Sequence, residues 1–244
     1  MPAFAHVPAM TPAREISTAP SPDFRHVAAW IFDLDNTLYR ADSNLFAQID
    51  ARMTDYVARL LGLSPGEARR VQKNYYRDYG TTLNGLIRCH GIDPETFLDH
   101  VHDIDFSILA PDRELNAAIA RLPGKRAVFT NGCGKYAARL LAHIGLDNAI
   151  DELWDIRATA YSPKPDREAY RTVLSGCAIR GERAAMFEDI ARNLVPAHEL
   201  GMTTVWIDNG SAWSRQGPEY PVAAAQHIDY QTADLSHFLG TIRI

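Results

Sequence analysis

Short apolar runs recur along the chain, each closed by polar or turn residues: Ala28–Phe32 ("AAWIF"), Arg126–Phe129 ("RAVF"), Ala184–Phe187 ("AAMF") and Thr203–Ile207 ("TTVWI"). Each has the length of a strand buried on both faces. A shorter strand is predicted near Leu153–Ile156. Between these runs the apolar residues change to helical spacing, as in Lys135–Ile144 ("KYAARLLAHI"), where Gly145 follows as a C-cap. Asp166–Ser175 and Ala191–Leu200 read the same way. Strands alternating with helices predict an α/β fold, a parallel sheet joined by right-handed crossovers.

One interval breaks this rhythm. From Asp35 to Thr130 the chain runs roughly eight times the dozen residues that a crossover needs. Helical patterns fill it: Asn44–Leu61, Ser64–Tyr79, Thr82–His90 and Asp93–His102. Ser64 before Pro65 and Asp93 before Pro94 have the form of N-caps with proline in the first turn. Residues 42–112 are therefore expected to form a helical insertion on a sheet domain made of 26–41 and 113–244. Residues 1–25, rich in alanine and proline and without a basic start or a continuous apolar stretch, predict a mobile tail and no secretory leader.

Composition narrows the function. The 244 residues are 46% hydrophobic and 23% charged, which is enough to build a substantial core. A formal net charge of −5 argues against a nucleic-acid binder but leaves room for a small anionic substrate in a locally positive site. Cys89, Cys133 and Cys177 are odd in number and far apart, so neither a disulfide framework nor a thiolate zinc site is expected, and a reducing, cytoplasmic setting fits. No apolar run is long enough to predict a membrane span.

The chemistry gathers where the strands end. In a parallel sheet, ligand-binding groups collect at the carboxyl ends of the strands. The first run delivers Asp33 and Asp35, the second Thr130 and Asn131, and the third Glu188 and Asp189, with Lys164 between prolines in "SPKP". Carboxylates converging on one cleft repel one another unless a cation sits among them, and an all-oxygen donor set favours a hard ion such as Mg²⁺. Thr130, Asn131, Lys164 and the amides of "NGCGK" at a helix start are donors that suit a phosphate. In such a site Asp33 could attack phosphorus as a nucleophile, and Asp35 could protonate the leaving oxygen and then activate water.

"DLDNTLY", "FTNG", "SPKP" and "FEDIARN", in that order, resemble the four motifs of the haloacid dehalogenase-like (HAD) hydrolase superfamily, a resemblance that covers about residues 26–240. It implies a Rossmann-like core with an inserted α-helical C1 cap, Asp33 as nucleophile, and Asp35 as general acid/base. It further implies Mg²⁺ held by Asp33, Asp189 and the Asp35 main-chain carbonyl, phosphoryl binding by Thr130, Asn131 and Lys164, and Glu188 as a ligand or its neighbour. Asn193 stands where many members carry another acid and is expected to support the site. Asp35 is typically missing from the dehalogenase branch, so phosphate chemistry is the expectation. "YYRDYGTTLNGL" and "DLDNTLY" further resemble the pyrimidine 5′-nucleotidases, implying UMP- or CMP-like monophosphates as substrates. Charge and the length of the apolar runs lead to the expectation of no nucleic-acid or membrane partner, and the chain is expected to be a monomer or homodimer.

Other readings stay open at this stage. The same residues serve a sugar-phosphate phosphatase or a phosphomutase, and a catalytically silent nucleotide-binding protein is the non-enzymatic alternative. Tyr75, Tyr76 and Tyr79 are either helix packing or a stacking surface for a base. Arg40 and Arg88 read as solvated surface, and Cys133 as a bystander beside the phosphate cradle.

Overall fold

The computed structural model describes residues 21–210 and 226–244. The first strand, β1 (Ala29–Phe32), is followed by α1 (Leu45–Leu61), α2 (Pro65–Tyr79), α3 (Thr82–His90) and α4 (Pro94–Val101) before the chain returns to the sheet through α5 (Arg113–Ala120). Then come β2 (Lys125–Phe129), α6 (Gly134–Ile144), β3 (Glu152–Trp154), α7 (Arg167–Gly176), β4 (Ala184–Glu188), α8 (Leu194–Glu199), β5 (Thr203–Ile207), β6 (Tyr230–Thr232) and α9 (Leu235–Thr241). These strands form one six-stranded sheet in the order β3-β2-β1-β4-β5-β6, and every pairing is parallel. The topology is Rossmann-like, as the alternation predicted.

The sheet is covered on both faces, which is why its central strands read as unbroken apolar runs. Along β1 the side chains alternate. Trp30 and Phe32 join a core with residues of α5, α6 and α9, while Ala29 and Ile31 face α7 and α8. On α6 the buried residues Tyr136, Ala137, Leu140, Leu141 and Ile144 make one stripe, and the helix ends at Gly145, whose φ of 76° suits glycine. The inserted helices start as their caps predicted. The Ser64 main-chain N–H and hydroxyl both donate to Glu67, and Asp93 accepts from the Glu95 amide.

The expected tail ends earlier than residue 25. Residues 1–20 lie outside the described residues, but Asp23 bridges to Arg243 and Phe24 is fully buried. The Phe24 ring stacks on Trp30 at 5.7 Å and meets Phe238 edge-on at 5.9 Å. Alanine and proline dominate the preceding residues, so composition hid this single aromatic anchor.

Candidate active site

The loops after β1, β2 and β4 place their polar side chains at the carboxyl edge of the sheet. Their centre is Lys164, whose ammonium donates to Asp33 Oδ1 at 2.5 Å and to Glu188 Oε2 at 2.6 Å. All three side chains are buried. Burial alone would lower the Lys164 amine, but the charges of Asp33 and Glu188 outweigh it and hold the ammonium form. Asn131 fixes this lysine from behind, accepting from the Lys164 amide at 2.8 Å and donating to its carbonyl at 3.2 Å.

Glu188 is engaged on both oxygens. Oε2 meets Lys164, and Oε1 accepts from Asn193 Nδ2 at 2.9 Å and from the Ile190 amide at 3.3 Å. Asp189 accepts from Asn209 Nδ2 at 3.2 Å, while its main-chain carbonyl takes the Trp206 indole N–H at 2.8 Å. Burial and the neighbouring charges of Asp33 and Glu188 push the Asp189 carboxyl well above the usual carboxylate range.

Asp35 has a different environment. Its Oδ1 accepts the hydroxyls of Tyr136 at 2.6 Å and Tyr39 at 2.8 Å. Burial, reinforced by the Asp33 charge, pushes its carboxyl up to about 6, against the pull of the two phenols. A carboxyl poised there suits a group that must both give and take a proton near neutrality.

Two amides of the expected cradle at the start of α6 are already engaged. The Gly134 amide donates to Asp155 Oδ2 at 2.7 Å, and the Gly132 amide to the Thr130 hydroxyl at 2.9 Å. These two donors are thus committed to the chain's own oxygens. The side-chain amide of Asn131 is likewise committed to Lys164, so the contribution visible in the structure is placement of the lysine. Thr130 is buried beside these groups, and Asn131 lines the cavity in front of them.

That cavity, of about 130 Å³, lies between the carboxyl edge of the sheet and the inserted helices. Asp33, Asp35, Lys164, Glu188, Asp189 and Asn193 line one wall. Phe46, Asp50, Met53, Gln72, Lys73, Tyr76 and Thr82 line the other. Asp50 there accepts from Lys73 at 2.6 Å, Gln72 at 2.7 Å and Arg69 at 2.8 Å. Of the three tyrosines in α2, Tyr76 reaches the cavity, with the Arg192 guanidinium 4.4 Å over its ring. Tyr75 packs against Tyr79 and donates to or accepts from His90. Arg40 pairs with Asp42 at the surface, and Arg88 is exposed.

The donor set fits a hard divalent cation. Carboxylate oxygens of Asp33, Glu188 and Asp189 lie within 4.8 Å of one another, all buried. Lys164 pairs with two of these three carboxyl groups, Asp33 and Glu188, and among the described residues Asp189 has no ion pair. Asn193 lines the same cavity, and its Oδ1 is buried and without a hydrogen-bond partner among the described residues, an acceptor left over for a water carried by a cation.

Sequence reasoning found the acidic groups and the lysine but missed Tyr39, Tyr136 and Asn209. Tyr39 lies inside a quoted motif, four residues after Asp35, and that spacing was the available signal. Tyr136 and Asn209 reach the site from 101 and 20 residues away from their partners, where no local pattern marks them.

A parallel α/β sheet bringing a buried lysine and paired acids to its carboxyl edge, under inserted helices, defines a hydrolase of the HAD type. The chain belongs to the haloacid dehalogenase-like hydrolases, whose family model matches residues 27–201. It is 26% identical over 190 residues to "Phosphate metabolism protein 8" of Saccharomyces cerevisiae, a match that takes in 71% of this chain and 59% of the yeast protein's length. It is 24% identical over 205 residues to the glyceraldehyde 3-phosphate phosphatase of Methanocaldococcus jannaschii, covering 78% of this chain and 89% of that one. In fold it is similar to the crystal structure of a HAD phosphatase from Thermococcus onnurineus, with a TM-score of 0.58 at 20% identity over 89% of this chain and 100% of that one. No helix among the described residues is long and apolar enough to cross a membrane.

Proposed function

We propose that the protein is a Mg²⁺-dependent phosphomonoester hydrolase acting on small phosphorylated metabolites through an aspartyl-phosphate on Asp33. The observation that carries this reading is the buried Lys164 ammonium joining Asp33 to Glu188, with Asp35 on the same cavity and held by a separate set of bonds. Asp33, Asp189 and the Asp35 main-chain carbonyl would hold Mg²⁺, which when bound offsets charge on the phosphoryl oxygens.

Asp33 attacks phosphorus through a carboxylate oxygen as the ester P–O bond breaks, and the leaving oxygen takes its proton from Asp35. A water molecule then attacks phosphorus and gives a proton to Asp35. The Asp33–phosphorus bond breaks, phosphate leaves, and both carboxyl groups return to their starting state. Lys164 supplies fixed positive charge to Asp33 and to the phosphoryl group, and Thr130 a hydroxyl donor. Helices α1–α4 act as a cap that keeps bulk water from the intermediate.

Two substrate classes compete, and the size of the cavity supports one of them. At about 130 Å³ it is smaller than the ~300–1,000 Å³ of sites for drug-sized ligands. This size favours a compact sugar phosphate, in keeping with the name of the archaeal relative. UMP- or CMP-like nucleotides need the inserted helices to lift, and Phe46 and Tyr76 would then offer rings for a base.

Phosphate release decides between them. The wild type and Asp33→Asn would be assayed on UMP, CMP, purine and deoxynucleoside monophosphates and on three- to six-carbon sugar phosphates, with Mg²⁺ and with chelator. Metal-dependent release absent from the variant supports the mechanism, and the preferred ester names the class. Release that survives Asp33→Asn sinks the mechanism.

A further inference from the structure

Of the two carboxyl oxygens of Asp35, one carries every hydrogen bond. Oδ1 accepts from Tyr39 at 2.8 Å and from Tyr136 at 2.6 Å, and among the described residues Oδ2 has no partner. Each phenol has one proton to give. Both hydroxyls are held in the protonated form, raised well above the ordinary range first by burial and then by the Asp35 charge itself. An oxygen that already accepts two hydrogen bonds cannot carry a proton of its own without displacing one of them. The two oxygens of this carboxyl group are therefore not equivalent.

The phenols are themselves held firmly. Tyr39 comes from the loop after β1, so its position is tied to that of Asp35. Tyr136 lies in the first turn of α6, and its ring stacks on His102 with centroids 4.4 Å apart and planes 12° from parallel. Phe106 packs on the same ring at 5.9 Å. His102 caps the C-terminal end of α4, so the clamp on Asp35 draws on the sheet loop, a core helix and the inserted helices together.

Resting on the phosphohydrolase reading above, we propose that Tyr39 and Tyr136 are positioning residues that lock the rotation of the Asp35 carboxyl group and leave Oδ2 as the oxygen that exchanges the proton with the leaving group. Neither tyrosine touches the reacting atoms. They act through Asp35, by turning a freely rotating acid into a directed one. The proton passes from Oδ2 to the ester oxygen as its bond to phosphorus breaks, while Oδ1 keeps both phenol bonds and takes up the negative charge that develops.

Such a role reads out in leaving groups. An alkoxide needs its proton as it departs, whereas 4-nitrophenolate does not, so losing a directed acid slows alkyl esters selectively. The Mg²⁺-loaded full chain would be assayed on 4-nitrophenyl phosphate and on an alkyl monophosphate, as wild type, Tyr39→Phe, Tyr136→Phe, the double variant and Asp35→Asn. Phenylalanine keeps both rings in place, and each single variant retains one phenol on Oδ1, so one readable protein remains if the double variant is unstable. The expected result is a fall in the single-turnover rate of alcohol release from the alkyl ester on the order of tenfold to a hundredfold in the double variant, read before the dephosphorylation step that both esters share. Single-turnover release of 4-nitrophenol should change by less than about threefold, with the single variants between. Equal slowing of this first step on both esters means a merely structural role and overturns the proposal, as does no slowing of either. If Asp35→Asn leaves the alkyl-to-aryl ratio unchanged, the acid role of Asp35 fails, and the proposal fails with it. A changed ratio in Asp35→Asn with none in the tyrosine variants overturns the positioning role alone.

Discussion

The ammonium of Lys164 lies 2.6 Å from the carboxylate of Glu188, and both side chains are almost completely shielded from water. The pair holds because the same nitrogen also meets Asp33 and because Asn193 satisfies the second oxygen of Glu188. Glu188 therefore works through Lys164, as the group that keeps the lysine facing Asp33.

Removing the lysine charge should be severe. Lys164→Met leaves Asp33, Glu188 and Asp189 buried together without a compensating cation, a change of the kind that destabilises by about 3–5 kcal/mol. Urea unfolding in the presence of chelator should show a clearly lower midpoint than wild type, partly restored by Mg²⁺. An unchanged midpoint would mean that the carboxyl groups take up protons without strain.

The metal should be visible in stability before it is visible in catalysis. At a concentration one hundred times its dissociation constant, a ligand of the folded state alone adds about 2.7 kcal/mol. Mg²⁺ should therefore raise the thermal midpoint of the wild type, with no substrate present. Asp189→Asn removes one of the carboxylates of the buried trio and should abolish most of that rise. An equal rise in both proteins would place the ion elsewhere.

The stacked His102 predicts a specific loss of stability in weak acid. Burial lowers this imidazole to about 4 from an ordinary value of 6.5. Between those values the unfolded chain binds a proton that the folded chain refuses, so stability present above about pH 6.5 declines as pH falls towards 4. From pH 7 to pH 5 the loss amounts to about 2 kcal/mol. His102→Phe, which keeps a ring against Tyr136, should show a flatter decline in denaturant midpoint over this range. Parallel declines in the two proteins would assign the loss to other groups.

Phe24 tests where the folded chain begins. It is fully buried against Trp30, Tyr230 and Phe238. Phe24→Ala should cost about 3–5 kcal/mol in chemical denaturation, the range for a buried aromatic. A cost typical of surface substitutions would return this residue to a tail.

The parts of this molecule that were legible in its sequence are those with local signals. Strands β1, β2, β4 and β5 are buried on both faces, so their apolar runs stood out, and the caps at Ser64 and Asp93 marked α2 and α4. The edge strand β6, with the sequence "YQT", has no apolar run, and the short helices α5 and α9 are too brief to show periodicity. At the site, Asp33, Asp35, Lys164, Glu188 and Asp189 sit in ordered motifs and were named, and the structure brings them to one cavity. Tyr136 escaped because its hydroxyl meets Asp35 only after α6 has packed on the sheet. In the glycine-rich turn the Gly134 amide, expected to cradle phosphate, is taken by Asp155, a residue with no motif around it.

The most direct test of the central claim is to trap the intermediate. The Mg²⁺-loaded enzyme would be mixed with its best phosphomonoester, quenched in acid within one turnover, digested, and analysed by mass spectrometry. The expected result is one added phosphoryl group on the peptide carrying Asp33, absent from Asp33→Asn and accumulating in a variant in which Asp35 cannot activate water. Phosphate release with no phosphorylated peptide at any quench time, or a phosphoryl group on another residue, would contradict Asp33 as the nucleophile.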